Sequence, residues 1–222
     1  MEIRTTFHKK LREIQDDVLI MGSMVGKAIT SSVKALQERD LDLARKIIDD
    51  DLKVNQKRFE IEERCVELIA TQQPMASDLR TIIAILNITT EIERIGDYAV
   101  GIARIVIMIG DEPPLKPLVD IPRMADHTVD MLRRSLDAFI QRDGEAAKKI
   151  ADEDDLVDNL YDQVFRELLV FMAEDPRTIT RATRLIWTAH NLERAADRVT
   201  NICERVVFIV TGKMAEIGAS KY

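Results

Sequence analysis

Glu93-Arg94-Ile95-Gly96-Asp97 and, one hundred positions later, Glu193-Arg194-Ala195-Ala196-Asp197 are two copies of one pattern, each inside a long run of apolar residues at helical spacing. On a helix the Glu and Asp of each copy stand four apart and project from one face, about one turn from each other. Like charges at that spacing repel by about a few tenths of a kcal/mol, yet the pair occurs twice. A neighbouring cation is called for. An arginine would make the motif structural, and a metal ion would make it a site; the motif alone leaves both open.

Outward from these motifs, the duplication extends through the chain. At an offset of 103, Ala35, Arg39, Asp40, Ala44, Asp51 and Val54 match Ala138, Arg142, Asp143, Ala147, Asp154 and Val157. At an offset of 100, Glu93, Arg94, Asp97, Ile102 and Val106 match Glu193, Arg194, Asp197, Ile202 and Val206. Apolar residues recurring at three and four predict helices from Phe7 to Gln37, from an Asp40 cap to about Gln72, and from a start at Ser77 or Asp78 to Ile109. Pro74 ends the second of these, because proline removes a donor and restricts the residue before it. The stretch 110–117 holds three of the six prolines and reads as the linker. The order then repeats: a helix from about Pro122 to Ile140, one through Ile150 to Phe171, and one from about Ile179 to Val210. No stretch alternates with period two for long enough to make a strand. The expected fold is all-α: two tandem pseudo-repeated three-helix bundles of six long helices, residues 1–112 and 113–222.

Composition supports a folded chain. With 222 residues, 46% of them hydrophobic and only eight glycines, a core can be buried. The net charge of −7 and the lack of a basic block argue against a nucleic-acid partner, which needs a concentrated Lys/Arg surface. Cys65 and Cys203 are isolated at apolar helical positions and read as buried thiols of a reducing compartment. Neither a signal peptide nor an uncharged span of bilayer length is visible, so the expectation is a cytoplasmic protein that meets the membrane only through partners.

On a helical wheel centred on Ile95, Glu93 and Asp97 fall at about 160° and 200°, away from the core stripe. Asp51 with Asn55, and Asp154 with Asp158, again place oxygen ligands four apart on the preceding helix of each half. A short connector makes helices two and three of each half antiparallel neighbours. If the pairs come level, four side chains converge per half: Asp51, Asn55, Glu93 and Asp97, then Asp154, Asp158, Glu193 and Asp197. Such oxygen donors suit Mg²⁺, Mn²⁺, Ca²⁺ or ferric iron. Against this, Arg94 can pair with Asp97 and Arg194 with Asp197, and acidic runs on helices are usually solvated faces. None of His8, His127 or His190 has a Glu three before it, which argues against a di-iron site of the Glu-x-x-His kind. There is no nucleophile with a base, phosphate loop or zinc spacing. Trp187 lies in the last helix's apolar stripe and reads as core.

The duplicated unit, Gln72-Gln73-Pro74-Met75-Ala76-Ser77-Asp78-Leu79-Arg80, the two Glu-Arg-x-x-Asp blocks, and Asn201-Ile202-Cys203-Glu204 together resemble the PhoU family of bacterial phosphate-specific transport accessory proteins. The likeness runs from about Phe7 to Lys213. It implies a non-enzymatic regulator of phosphate uptake and of the phosphate-starvation response, an adaptor between the ATPase subunit of a phosphate ABC transporter and a sensor histidine kinase. It further implies a homodimer or higher oligomer and multinuclear metal clusters of iron, zinc, manganese, magnesium or calcium. Carried over, the ligands are Asp51, Glu93 and Asp97, and Asp154, Asp158, Glu193 and Asp197. Asn55 departs from the acidic pattern, and Gly101 stands opposite Asn201, so the first site carries less charge. Two other readings remain: a metal-dependent enzyme acting on phosphate compounds, and a structural helical scaffold.

Overall fold

Arg39-Asp40 and Arg142-Asp143 punctuate the two halves in the same way. Both arginines take left-handed backbone, at φ 57° and 55°, and the following Asp N–H donates back to Ala35 O at 3.0 Å or Ala138 O at 2.9 Å. That bond closes the carbonyls left open at a helix end. The same Asp then caps the next helix: Asp40 Oδ1 accepts from Leu43 N at 2.8 Å, and Asp143 Oδ1 from Ala146 N at 2.9 Å. Two residues thus stop one helix and start another, twice.

A computed structural model describes residues 2–214, 216 and 217. The first half comprises α1 (Glu2–Glu38), α2 (Leu41–Gln72) and α3 (Ala76–Ile109). The second comprises α4 (Asp120–Gln141), α5 (Gly144–Ala151), α6 (Asp154–Glu174) and α7 (Ile179–Thr211), with one 3₁₀ turn at Pro176–Thr178. Among the described residues there is no strand, and no helix is long and apolar enough to cross a membrane. α3 begins at Ala76, ahead of the expected Ser77 or Asp78, with Met75 at its cap and no side-chain cap bond. Asp78 instead lies in the first turn, where a negative charge meets the positive end of the helix dipole.

The fifth rod, expected to be continuous, is interrupted by a turn at Asp152-Glu153. Arg134 of α4 grips Glu153 with both guanidinium nitrogens, Nη1 donating to Oε1 at 2.9 Å. At the matching place in the first half stand Ser31, too short for this, and Asp50, which pairs with Lys53 at 2.6 Å while α2 runs on unbroken. The interruption places Asp154 in the first turn of α6.

α3 and α7 form the most extensive contact in the molecule, and α1 also packs on α4, so the two bundles share one continuous core. α3 packs against α1, α2 and α7, which is why its isoleucines 82, 85, 88, 92, 95 and 102 are all fully buried; a helix apolar on most of its faces belongs at such a centre. Gly101 permits the close crossing, since a Cβ there would lie 2.6 Å from Asn191 Oδ1. Periodicity overstates the core elsewhere. Phe59 and Val66 of α2 are 56% and 60% exposed, and Trp187, expected in the core, is 51% exposed. α2 packs only on α1 and α3, which leaves Phe59 and Val66 on its open face, and Trp187 lies on the arc of α7 that its neighbours leave uncovered.

Candidate functional site

In the second half, antiparallel α6 and α7 bring Asp154 and Asp158 level with Glu193 and Asp197. The four line one open cleft of about 930 Å³, together with Asp162, Arg194 and Glu204. The turn before α6 places Asp154 at a helix N-terminus, where the dipole offsets part of the crowding. The crowding still dominates. Burial first, then the charges of Asp158, Asp197 and Glu193, push the Asp154 carboxyl up to about 7. Burial, then Asp197 and Asp158, push Glu193 up to about 7, and burial followed by Asp197 raises Asp158. These are the effects of desolvation and like charge on a carboxylate.

Two oxygens in this cleft, Asp154 Oδ1 and Glu193 Oε2, are buried without a hydrogen bond. His190 Nδ1 lies 3.3 Å from Glu193 Oε2, within ion-pairing distance but outside hydrogen-bond geometry. Asp197 is partly neutralised, because Arg194 Nη1 donates to its Oδ2 at 2.7 Å. The arginine reading of the motif therefore holds for Asp197, while Asp154 Oδ1 and Glu193 Oε2 accept no hydrogen bond. Among the described residues no group of three or more His, Cys, Asp or Glu side chains is already arranged to hold a metal ion. The oxygens ring an open cleft, and closing them on a cation requires the side chains to swing inward.

The corresponding notch between α2 and α3 brings Asp51, Asn55, Glu93 and Asp97 together in the same way, but it is filled from within. Arg58 Nη1 donates to Glu93 Oε1 at 3.0 Å, and its Nε donates to Glu62 Oε1 at 2.7 Å. Asn55 Nδ2 donates to Asp51 Oδ2 at 3.1 Å. Burial and then Asp97 raise the Asp51 carboxyl, with Arg104 acting in the opposite sense. Glu93 is likewise raised by burial and then by Asp97, against Arg58. Arg94 turns to Glu91, at 3.4 Å, rather than making the Arg94–Asp97 pair allowed by spacing.

All eight carboxylate and amide positions expected from spacing thus meet in two notches on the outer face, one per bundle. Arg58, Arg104 and Glu204 also act at the notches, and carboxylate spacing alone does not mark them as site residues. They were nevertheless readable, because extending the repeat offsets by a few residues sets Arg58 against Tyr161 and Arg104 against Glu204. Tyr161 lines the second cleft but carries no charge, its ring tilted against His190 at 6.0 Å and Phe165 at 6.2 Å, so it supplies no counter-ion there.

The family profile described as "PhoU domain" matches the chain twice, at residues 18–106 and 121–206. The chain is 39% identical over 207 residues to the "Phosphate-specific transport system accessory protein PhoU" of Edwardsiella tarda, covering 93% of this chain and 85% of that protein. To the homologue of that name in Clostridium acetobutylicum it is 36% identical over 215 residues, covering 96% and 98%. Among solved structures, PhoU from Pseudomonas aeruginosa superimposes with a TM-score of 0.88 at 36% identity, covering 93% of this chain and 100% of that one. The "phosphate transport system regulatory protein PhoU" from Streptococcus pneumoniae does so with a TM-score of 0.88 at 31% identity, covering 94% and 99%.

Proposed function

The chain belongs to the PhoU family, and from that premise we propose that it is a non-enzymatic regulator of phosphate uptake. In this role it is an adaptor between the ATPase subunit of a phosphate ABC transporter and a sensor histidine kinase, restraining the starvation response when phosphate is plentiful. The observation that carries the reading is the match of both halves, over nearly the full length of relatives described as accessory to phosphate transport. Long, charged helical faces suit docking of protein partners, and a homodimer would present each face twice. The test is deletion of the gene followed by a phosphate-starvation reporter in phosphate-rich medium. Derepression reversed by the wild-type gene supports the reading; an unchanged reporter in a strain with no second copy counts against it. Capture of the ATPase subunit and of the kinase by the purified protein tests the adaptor role separately.

Within this role we infer that the second notch takes a hard cation. Asp154, Asp158, Glu193 and Asp197 would hold it, and their all-oxygen donor set suits Mg²⁺, Mn²⁺, Ca²⁺ or ferric iron. What supports the fit is the pair of buried oxygens on Asp154 and Glu193 that accept no hydrogen bond. A bound cation would relieve their repulsion and draw α6 toward α7, fixing the face presented to partners. Metal content of protein purified without chelator, compared with Asp154→Asn and Glu193→Gln, tests this part.

A further inference from the structure

We propose that Arg58 is a built-in counter-ion that occupies the first notch, so that the chain takes up an exogenous cation in its second half only. The proposal rests on reading the second notch as a cation site. Three substitutions between the repeats all act in the same direction. Arg58 stands where the second half has Tyr161, Asn55 where it has Asp158, and Arg104 where it has Glu204.

The geometry shows what these changes accomplish. Arg58 reaches across from α2 to α3 and donates to Glu93 Oε1 at 3.0 Å. Its other edge is held by Glu62, one turn further along α2, at 2.7 Å. Glu62 itself has no counterpart in the second half, where Phe165 takes its place. The guanidinium is therefore gripped from both sides, and its side chain is only 26% exposed. A planar, permanently charged group anchored at both ends is a durable substitute for an ion. Asn55 contributes an amide donor to Asp51 instead of a second negative charge, and Arg104 lies close enough to act on Asp51. A metal ion entering here would meet the anchored charge of Arg58, the field of Arg104, and Asp51 and Glu93 already accepting hydrogen bonds.

In the second half, among the described residues, no arginine is ion-paired with Asp154 or Glu193; Arg194 pairs with Asp197 at 2.7 Å, and His190 Nδ1 lies 3.3 Å from Glu193 Oε2. Tyr161 turns to His190 and Phe165, while Asp154 Oδ1 and Glu193 Oε2 are left without hydrogen bonds. The duplicated framework has thus diverged into one notch whose Glu93 is neutralised by Arg58 and one whose Asp154 and Glu193 keep buried oxygens without a hydrogen bond.

The test is equilibrium dialysis of the full-length, chelator-stripped protein against Mn²⁺, with stoichiometry read per chain. Wild-type protein is expected to bind at the second notch alone. Glu193→Gln then abolishes tight uptake, and Glu93→Gln leaves it unchanged. Installing the second half's residues, Arg58→Tyr with Asn55→Asp, is expected to add uptake that a further Glu93→Gln removes. If wild type binds at both notches and Glu93→Gln loses one, the proposal falls and the cation reading stands. If wild type binds none, the cation reading falls and takes the proposal with it. The two single Gln variants on the wild-type background decide the matter even if the Arg58 variant folds poorly.

Discussion

Glu91 of α3 accepts a hydrogen bond from Asn201 Nδ2 of α7 at 3.1 Å, and the seam between the two bundles closes around it. Arg198 and Arg94 point at the same carboxylate, at 3.5 and 3.4 Å, and the Glu91 side chain is only 15% exposed. Across the pseudo-symmetric crossing the matching pair is Asn191 against Gly101, with no charge. Glu91→Leu leaves Arg198 facing the seam without its carboxylate, and a half-buried group stranded in this way costs about 1–3 kcal/mol. Glu91→Gln, which still accepts from Asn201, is expected to cost less. Urea unfolding of the two variants checks the order.

Because the core runs unbroken from one bundle into the other, both halves should unfold together. Trp187, the lone tryptophan, reports only the second half, whereas far-UV circular dichroism reports every helix. Coincident urea transitions by the two signals are expected. A circular-dichroism transition at clearly lower urea than the fluorescence one would show that the first bundle melts separately.

Without metal, the second notch opposes folding at neutral pH. Asp154 and Glu193 stay protonated up to about pH 7 in the folded chain, whereas ordinary carboxyls ionise near pH 4. The folded state binds more protons over that interval, so the contribution of these groups to stability is lost as pH rises from about 4 to 7. Asp154→Asn and Glu193→Gln should therefore stabilise the chelator-stripped protein at pH 8. Discounted for solvent exposure, the gain is about 1 kcal/mol each, or about 2–4 °C in Tm. At pH 4 the same substitutions should have little effect, and a scan of Tm against pH separates the two regimes.

Arg39 holds a left-handed backbone conformation that side chains with a Cβ adopt at a cost. Arg39→Gly should relieve that cost, offset in part by the greater freedom of glycine in the unfolded chain, for a net gain of about 0.5 kcal/mol. Asp40→Ala removes the cap on Leu43 N and should cost about 1 kcal/mol. Thermal unfolding of the two variants should move in opposite directions.

Cys65 and Cys203 are fully buried, and burial pushes both thiols up to about 12. Thiolate is the reactive form, so a thiol reagent at pH 8 should label neither in the native protein and both in denaturant. Fast native labelling of either would reveal local opening of its bundle.

Much of the fold is legible in the linear pattern because it depends on local chemistry. Helical periodicity places α3 and α7, Pro74 ends α2, and the repeated Arg-Asp pairs mark the stop and start of neighbouring helices. Periodicity does not report which arc of a helix its neighbours cover. For that reason Phe59, Val66 and Trp187 fall in apolar stripes yet face outward. The break before α6 was hidden for a similar reason, since its cause is Arg134, nineteen residues away on another helix.

The same division applies to the notches. Spacing along each helix determined that Glu93 shares a face with Asp97, Asp154 with Asp158, and Glu193 with Asp197, because one turn of helix sets that geometry wherever it occurs; that the pairs of neighbouring helices come level is a tertiary result. A difference in charge between the clusters is already written in Asn55 against Asp158, but only the tertiary structure decided that Arg58 meets Glu93. That outcome depends on which side chain reaches across from one helix to the next, Arg58 bridging to Glu93 in one bundle and uncharged Tyr161 resting against His190 in the other, and a contact between helices has no signature in the periodicity of either.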